Sequence, residues 1–175
     1  MEIEKKFLLY EKGKILSNKN LIKNTRLLKL KTLIFGKKII QSYISVAKLS
    51  KVIEITKIKP NFKPDEIRIR QYGAKYFLTF KSRQKQFQRQ EFEVETTRDT
   101  YNKLLQLRKN YLIKNRYIKT INNFKVEFDY YKKFDLLICE IEVNSEKELN
   151  KIPQFGKLIS GVKKYKNSYL AKHFE

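Results

Sequence analysis

Arg89-Gln90-Glu91-Phe92-Glu93-Val94-Glu95 decides how this chain folds. Successive side chains of an extended strand point to opposite faces, so Glu91, Glu93 and Glu95 share one face with Arg89 while Phe92 and Val94 take the other. A helix would scatter the same residues around its circumference. The pattern recurs outward in both directions. Towards the N-terminus, Thr79 and Lys81 alternate with Leu78 and Phe80, Arg68 and Arg70 with Ile67 and Ile69, and Glu2, Glu4 and Lys6 with Ile3 and Phe7. Towards the C-terminus, Lys114 and Arg116 share a face within residues 111–119. Lys125, Glu127 and Asp129 then alternate with Val126 and Phe128, and Glu140 and Glu142 with Cys139, Ile141 and Val143. A weaker strand near residues 39–46, with Gln41 and Tyr43, brings the number of strands to eight.

Apart from this weaker strand, one face of each is apolar and the other carries charge, and together these faces carry both signs. An antiparallel sheet with one wet face explains any single strand of this kind. It does not explain why nine of the 18 acidic residues stand in register on such faces of a lysine-rich chain. A barrel with a polar interior does, because opposite charges can satisfy one another across the lumen. The expectation is therefore an α+β domain spanning residues 1–175. Its core is a closed eight-stranded antiparallel β-barrel with a charged lumen and helices packed on the outside. Thr97, followed by Asp99, Tyr101, Leu104 and Leu105, reads as an N-cap and an amphipathic helix. Ser145-Glu146-Lys147-Glu148 reads as a capping box, and a last helix is expected over residues 166–173. Residues 11–38 read as helix plus loop. Residues 47–64, which include Pro60 and Pro64, read as a strand or hairpin outside the main set.

Composition narrows the chemistry. A chain of 175 residues with 41% hydrophobic content can bury one core. Its net charge of +22 attracts polyanions: nucleotides, polyphosphate, RNA or an anionic surface. Cys139 is the lone cysteine and His173 the lone histidine, which leaves no disulfide framework, no cysteine-rich zinc site and little His-based catalysis. Five glycines without a Gly-rich phosphate loop argue against Walker-type and Rossmann sites. The start of the chain lacks the pattern of a signal peptide, and no apolar run approaches about 18 residues. A cytoplasmic protein with no membrane partner is the resulting expectation. Any chemistry then falls to carboxylates, Lys, Arg and a bound metal.

Glu2-Ile3-Glu4-Lys5-Lys6-Phe7 resembles the ExExK opening of the CYTH superfamily, the triphosphate tunnel metalloenzymes. In order along the chain follow segments similar to the family's other tunnel strands: Gln41-Ser42-Tyr43, Ile67-Arg68-Ile69-Arg70, Leu78-Thr79-Phe80-Lys81, Arg89-Gln90-Glu91-Phe92-Glu93, Lys114-Asn115-Arg116 and Glu140-Ile141-Glu142. Tyr165-Lys166-Asn167-Ser168-Tyr169-Leu170-Ala171 resembles the ending of bacterial-type members. Ser42 stands where many relatives have Gly, Glu127 where they usually have Asp, and residues 47–64 look like an insertion.

The resemblance implies a metal-dependent triphosphatase. Mg²⁺ or Mn²⁺ prefers oxygen ligands, and Glu2 and Glu4 could share an ion with a carboxylate from a facing strand. The resemblance nominates Glu142 for that place, with Glu140 beside it. Glu91, Glu93 or Glu127 would serve a second ion or act as the base for the attacking water. Lys6, Arg68, Arg70, Lys81, Arg89, Lys114 and Arg116 would cradle the phosphates, with Lys6, Lys81 and Arg116 acting in the chemical step. Inorganic tripolyphosphate is the first expectation for the substrate. An RNA 5′-triphosphatase, a class IV-like adenylate cyclase and a non-catalytic binder of polyphosphate or RNA 5′ ends are the alternatives. The basic surface further implies nonspecific contact with nucleic acid.

Overall fold

The computed structural model describes residues 2–83 and 87–174, the side chains of Glu2 and Gln88 excepted. The alternating segments form the strands β1 (Glu2–Glu11), β2 (Lys14–Ile15), β3 (Lys37–Ile44), β4 (Glu66–Tyr72), β5 (Lys75–Lys81), β6 (Gln88–Arg89), β7 (Glu91–Thr96), β8 (Arg108–Ile121), β9 (Phe124–Tyr131), β10 (Leu136–Val143) and β11 (Lys157–Leu158). The helices are α1 (Thr25–Phe35), α2 (Leu49–Thr56), α3 (Arg98–Leu105), α4 (Glu146–Lys151) and α5 (Asn167–Lys172). Every strand pairing is antiparallel, and the long strands follow the order β1-β10-β9-β8-β3-β4-β5-β7. Among the described residues no helix is long and apolar enough to cross a membrane.

Among the described residues the expected eight-stranded ring is not completed by main-chain ladders. β1 and β7 end the run of long strands, and the segment carrying the acidic alternation divides itself between two partners. Its first part, β6, sets Arg89 opposite Glu2 on β1, and the Glu4 N–H donates to the Phe87 carbonyl at 3.2 Å. Its second part, β7, pairs with β5 through Glu91–Thr96. At Gln90 between them both main-chain groups go to Ser82, the N–H to its hydroxyl at 2.9 Å and the carbonyl to its N–H at 3.0 Å. The result is an eleven-stranded antiparallel sheet that curls far enough for all eight long strands to line one cavity of about 320 Å³.

The apolar strand faces are covered from outside. Ile67, Ile69, Leu78 and Phe80 are fully buried with Val52 of α2 and Tyr101 and Leu104 of α3. Residues 47–64 are thus not a strand or hairpin. Leu49, Val52 and Ile55 follow helical spacing, and α2 ends where Lys57 adopts a left-handed φ of +59°. On the other side Phe7, Leu9, Phe128, Cys139 and Ile141 pack with Leu149 of α4, Ile152 and Phe155. The caps are those the sequence implied. Thr97 accepts from the Thr100 N–H at 3.1 Å, and Ser145 from the Glu148 N–H at 3.3 Å.

One helix departs from the expected outer layer. Leu8, Leu112, Tyr131, Ile138 and Leu136 continue the inward-facing rows of Lys6, Lys114, Asp129 and Glu140, so the interior turns from charged to apolar along its length. This apolar end packs with Tyr165 and with Leu170 and Ala171 of α5. α5 therefore plugs the interior instead of coating the outside, because the apolar residues on these rows must be covered and the C-terminal segment does so together with Leu16 and Phe134.

Candidate functional site

Register places the charged residues before any side chain moves. Glu4 lies opposite Glu142 and Lys6 opposite Glu140 on β1 and β10. Arg116 lies opposite Asp129 on β8 and β9. Arg68 lies opposite Thr79, Thr79 opposite Glu93, and Lys81 opposite Glu91 across β4, β5 and β7. Every site residue expected from the sequence lines the cavity except Glu2, whose side chain lies outside the described residues. Among the described residues eight basic and six acidic side chains line it, including Lys125, which was not among those expected.

The lining forms two networks. In the first, Arg116 is the hub. It grips Asp129 with two donors, Nε to Oδ1 at 2.7 Å and Nη2 to Oδ2 at 2.6 Å. It also bonds Glu127 and reaches Glu140 at 3.1 Å. Lys114 Nζ stands 2.5 Å from the same Asp129, and Lys6 Nζ lies 3.0 Å from Glu140 and 3.1 Å from Glu4. Burial alone would raise the Glu140 carboxyl, but Lys6, Lys114 and Arg116 hold it well below the usual carboxylate range. Burial opposes the Arg116 charge too, yet Asp129, Glu140 and Glu127 raise its pKa well above the ordinary arginine value. Lys114 goes the other way. Burial and the neighbouring Arg116 push it down from 10.5 to about 8, against the pull of Asp129.

The second network lies on β4, β5 and β7. Glu93 accepts from Arg68 at 3.1 Å, Arg70 at 2.8 Å and the Thr79 hydroxyl at 2.7 Å. Burial would raise its pKa, and Arg70, Thr79 and Arg68 bring it below the usual value. Lys81, almost fully buried, lies 2.5 Å from Glu91. Arg70 is the exception here. Burial, then Arg68, with Arg116 adding to it, lowers its pKa against the opposing pull of Glu93 and Glu91. The Nε groups of Arg68 and Arg70 are buried without a hydrogen-bond partner among the described residues. Unsatisfied buried donors in a field of like charge favour an anion.

For a divalent cation the donor chemistry fits in one place. Glu4 and Glu142 face each other on neighbouring strands, and two carboxylates so placed favour a cation between them. Among the described residues no group of three or more His, Cys, Asp or Glu is arranged to hold a metal. Glu140 and Glu127 are each engaged by Arg116 and by a lysine, Lys6 or Lys125, whereas Glu4 meets Lys6 alone among the ion pairs of the described residues.

Asp129, fully buried, is the functional residue that sequence reasoning left out of the site. Its parity with Glu127 was the available signal. Asn167 joins the tail to the cavity. It accepts from the Tyr131 hydroxyl at 2.6 Å and also lines the cavity. Tyr165 anchors the tail by donating to Glu11 at 3.2 Å.

No protein-family model matches the chain, and no curated protein does. Solved structures do match. The inorganic triphosphatase NE1496 superposes with a TM-score of 0.52 at 24% identity, over 98% of this chain and 94% of that one. PH1012 protein from Pyrococcus horikoshii OT3 gives 0.51 at 22% identity, over 86% and 84%. A Bacillus halodurans protein described as a candidate adenylate cyclase gives 0.51 at 16% identity, over 86% and 84%. The chain shares its fold with these proteins.

Proposed function

We propose that this chain is a metal-dependent triphosphatase of the CYTH type whose tunnel binds a triphosphate and releases its terminal phosphate. The observation that carries the reading is the state of Arg70. It is a largely buried guanidinium with an orphaned Nε, disfavoured by burial and then by repulsion from Arg68 against the pull of Glu93, in a cavity to which all eight long strands contribute. An anion of several charges relieves that repulsion and satisfies the free donors. A triphosphate carries about four negative charges, and its cleavage depends on charge neutralisation and in-line positioning more than on covalent chemistry. The likeness to NE1496, an inorganic triphosphatase, points the same way, and tripolyphosphate is the proposed substrate.

In the reaction a water oxygen bonds to the terminal phosphorus while the bond from that phosphorus to the bridging oxygen breaks. Orthophosphate and diphosphate leave, and the water proton passes to a carboxylate or to solvent. Lys81, Arg116 and Lys6 stabilise charge on the transferring and leaving oxygens. Arg68, Arg70, Arg89 and Lys114 hold the chain of phosphates. Glu93, with a depressed pKa and three donors, is a weak base and orients Arg68 and Arg70, which leaves Glu91 as the better candidate for the water. Glu4 and Glu142, with Glu2, would hold Mg²⁺ or Mn²⁺. When bound, the ion neutralises phosphate charge and orients the water.

The test is phosphate release from tripolyphosphate, ATP, thiamine triphosphate and 5′-triphosphate RNA with Mg²⁺ or Mn²⁺. Tripolyphosphate is expected to be the best small substrate, and Glu4→Gln to fold normally while losing turnover. Near-normal activity of Glu4→Gln, or activity in saturating EDTA, would remove the metal from the reading. Tight binding of every triphosphate without phosphate release would leave a binding protein in place of an enzyme.

A further inference from the structure

α1 packs Leu28 and Leu33 against the core but leaves a second apolar stripe outside. Thr25 and Thr32 are buried, with exposures of 4% and 0%, whereas Leu27, Leu30, Ile34 and Phe35 are exposed at 47%, 50%, 66% and 71%. Leu27, Leu30 and Ile34 follow helical spacing and form one stripe. The cause is close packing on the sheet. A Cβ added to Gly36 at the end of α1 would meet the Thr32 carbonyl and lie 3.0 Å from the Arg116 carbonyl of β8. Small residues must face inward here, and the Thr32 hydroxyl satisfies itself on the Leu28 carbonyl at 2.9 Å. The helix is also pinned. Lys29 lies 3.0 Å from Asp135 and 4.3 Å from the centre of the Tyr10 ring. Beside it runs an apolar groove of about 410 Å³, walled by Leu21, Leu28, Tyr117 and Ile121, with Lys31 and Lys119 also lining it.

Residues 12–53 contain eleven basic residues and no acidic one. Lys23, Arg26, Lys31, Lys37 and Lys38 are all exposed on or next to α1. We propose that this face docks on an anionic lipid surface. Leu30, Ile34 and Phe35 enter the boundary between headgroups and acyl chains, and the flanking cations meet lipid phosphates. Charge complementarity selects this occupant. A second copy would bring the same basic rim against itself, which like charges oppose. The inference is independent of the triphosphatase reading and revises, for this one face, the expectation of no membrane partner.

The chain has no tryptophan, so Phe35→Trp supplies a single reporter. Its emission is read with vesicles of phosphatidylcholine alone and with vesicles containing about one third phosphatidylglycerol, together with co-sedimentation. A blue shift with the anionic vesicles only is expected. Leu30→Gln/Ile34→Gln should lower co-sedimentation by about tenfold or more, with the circular dichroism spectrum and the thermal unfolding midpoint unchanged. Equal binding by the double variant overturns the proposal, since net charge alone then drives it, and so does an absence of binding. A dimer in light scattering that the double variant dissociates would assign the face to a second copy and overturn it likewise.

Discussion

At Arg70 a cation sits where burial and then Arg68 disfavour it, and at Lys114 burial weakens the hold on a proton. Both residues line the cavity, so both have consequences for anion binding. Arg70→Ala removes an orphaned donor and should weaken tripolyphosphate binding. Lys81→Ala and Arg116→Ala should each lower kcat/KM by ~10²-fold or more, as expected for donors to charge that develops in the transition state. Steady-state kinetics on tripolyphosphate decides this, and losses below about threefold in both variants would place these side chains outside the chemical step. Lys114, with its pKa pushed down to about 8, is mostly charged at neutral pH and mostly neutral at pH 9. Metal-free tripolyphosphate affinity should therefore fall as pH rises through about 8, and Lys114→Met should flatten that dependence in calorimetric titrations. The stability effect has the opposite sign. Between about 8 and 10.5 the unfolded chain holds a proton that folded Lys114 has released, so this residue makes stability rise with pH over that window.

α5 and the segment of β6 and β7 do different work at the scale of elements. α5 seals the apolar end of the interior through Leu170 and Ala171, so its contribution is packing rather than charge. Leu170→Ala should lower stability by ~2–5 kcal/mol, read from the urea midpoint, because a buried leucine leaves both lost transfer energy and a cavity. The folded fraction of that variant should keep its kcat/KM. The segment of β6 and β7 carries Arg89, Glu91 and Glu93 into the cavity by pairing first with β1 and then with β5. Its acidic alternation was plain from the residues, but its change of partner at Gln90 was not. Alternation fixes which face a side chain takes and says nothing of which strand lies alongside.

For the whole molecule the question is where the charge of +22 acts, since the cavity holds nearly balanced charges and the excess lies elsewhere. An RNA body docked on the outer cations would release counterions, so its binding would fall steeply with salt, whereas a short anion held in the cavity should depend on salt less. We expect kcat/KM for tripolyphosphate to change little between about 50 and 200 mM salt and that for 5′-triphosphate RNA to drop by orders of magnitude. RNA preferred by about tenfold or more at the higher salt would move the proposed substrate from inorganic triphosphate to RNA 5′ ends.

What the sequence by itself determined was the parity of each strand, hence which charges share a face, and the caps at Thr97 and Ser145. These follow from local geometry, because a two-residue period and an N-cap are complete within a few residues. Only the tertiary structure decided which charges meet. It gave Asp129 to Arg116 and Lys114, and it engaged Glu140 and Glu127 with bases. It turned α5 into the interior and left Leu27, Leu30, Ile34 and Phe35 of α1 outside. Those outcomes depend on strand order, on register between segments far apart in the chain, and on how closely a helix can approach a sheet, none of which a period-2 pattern encodes.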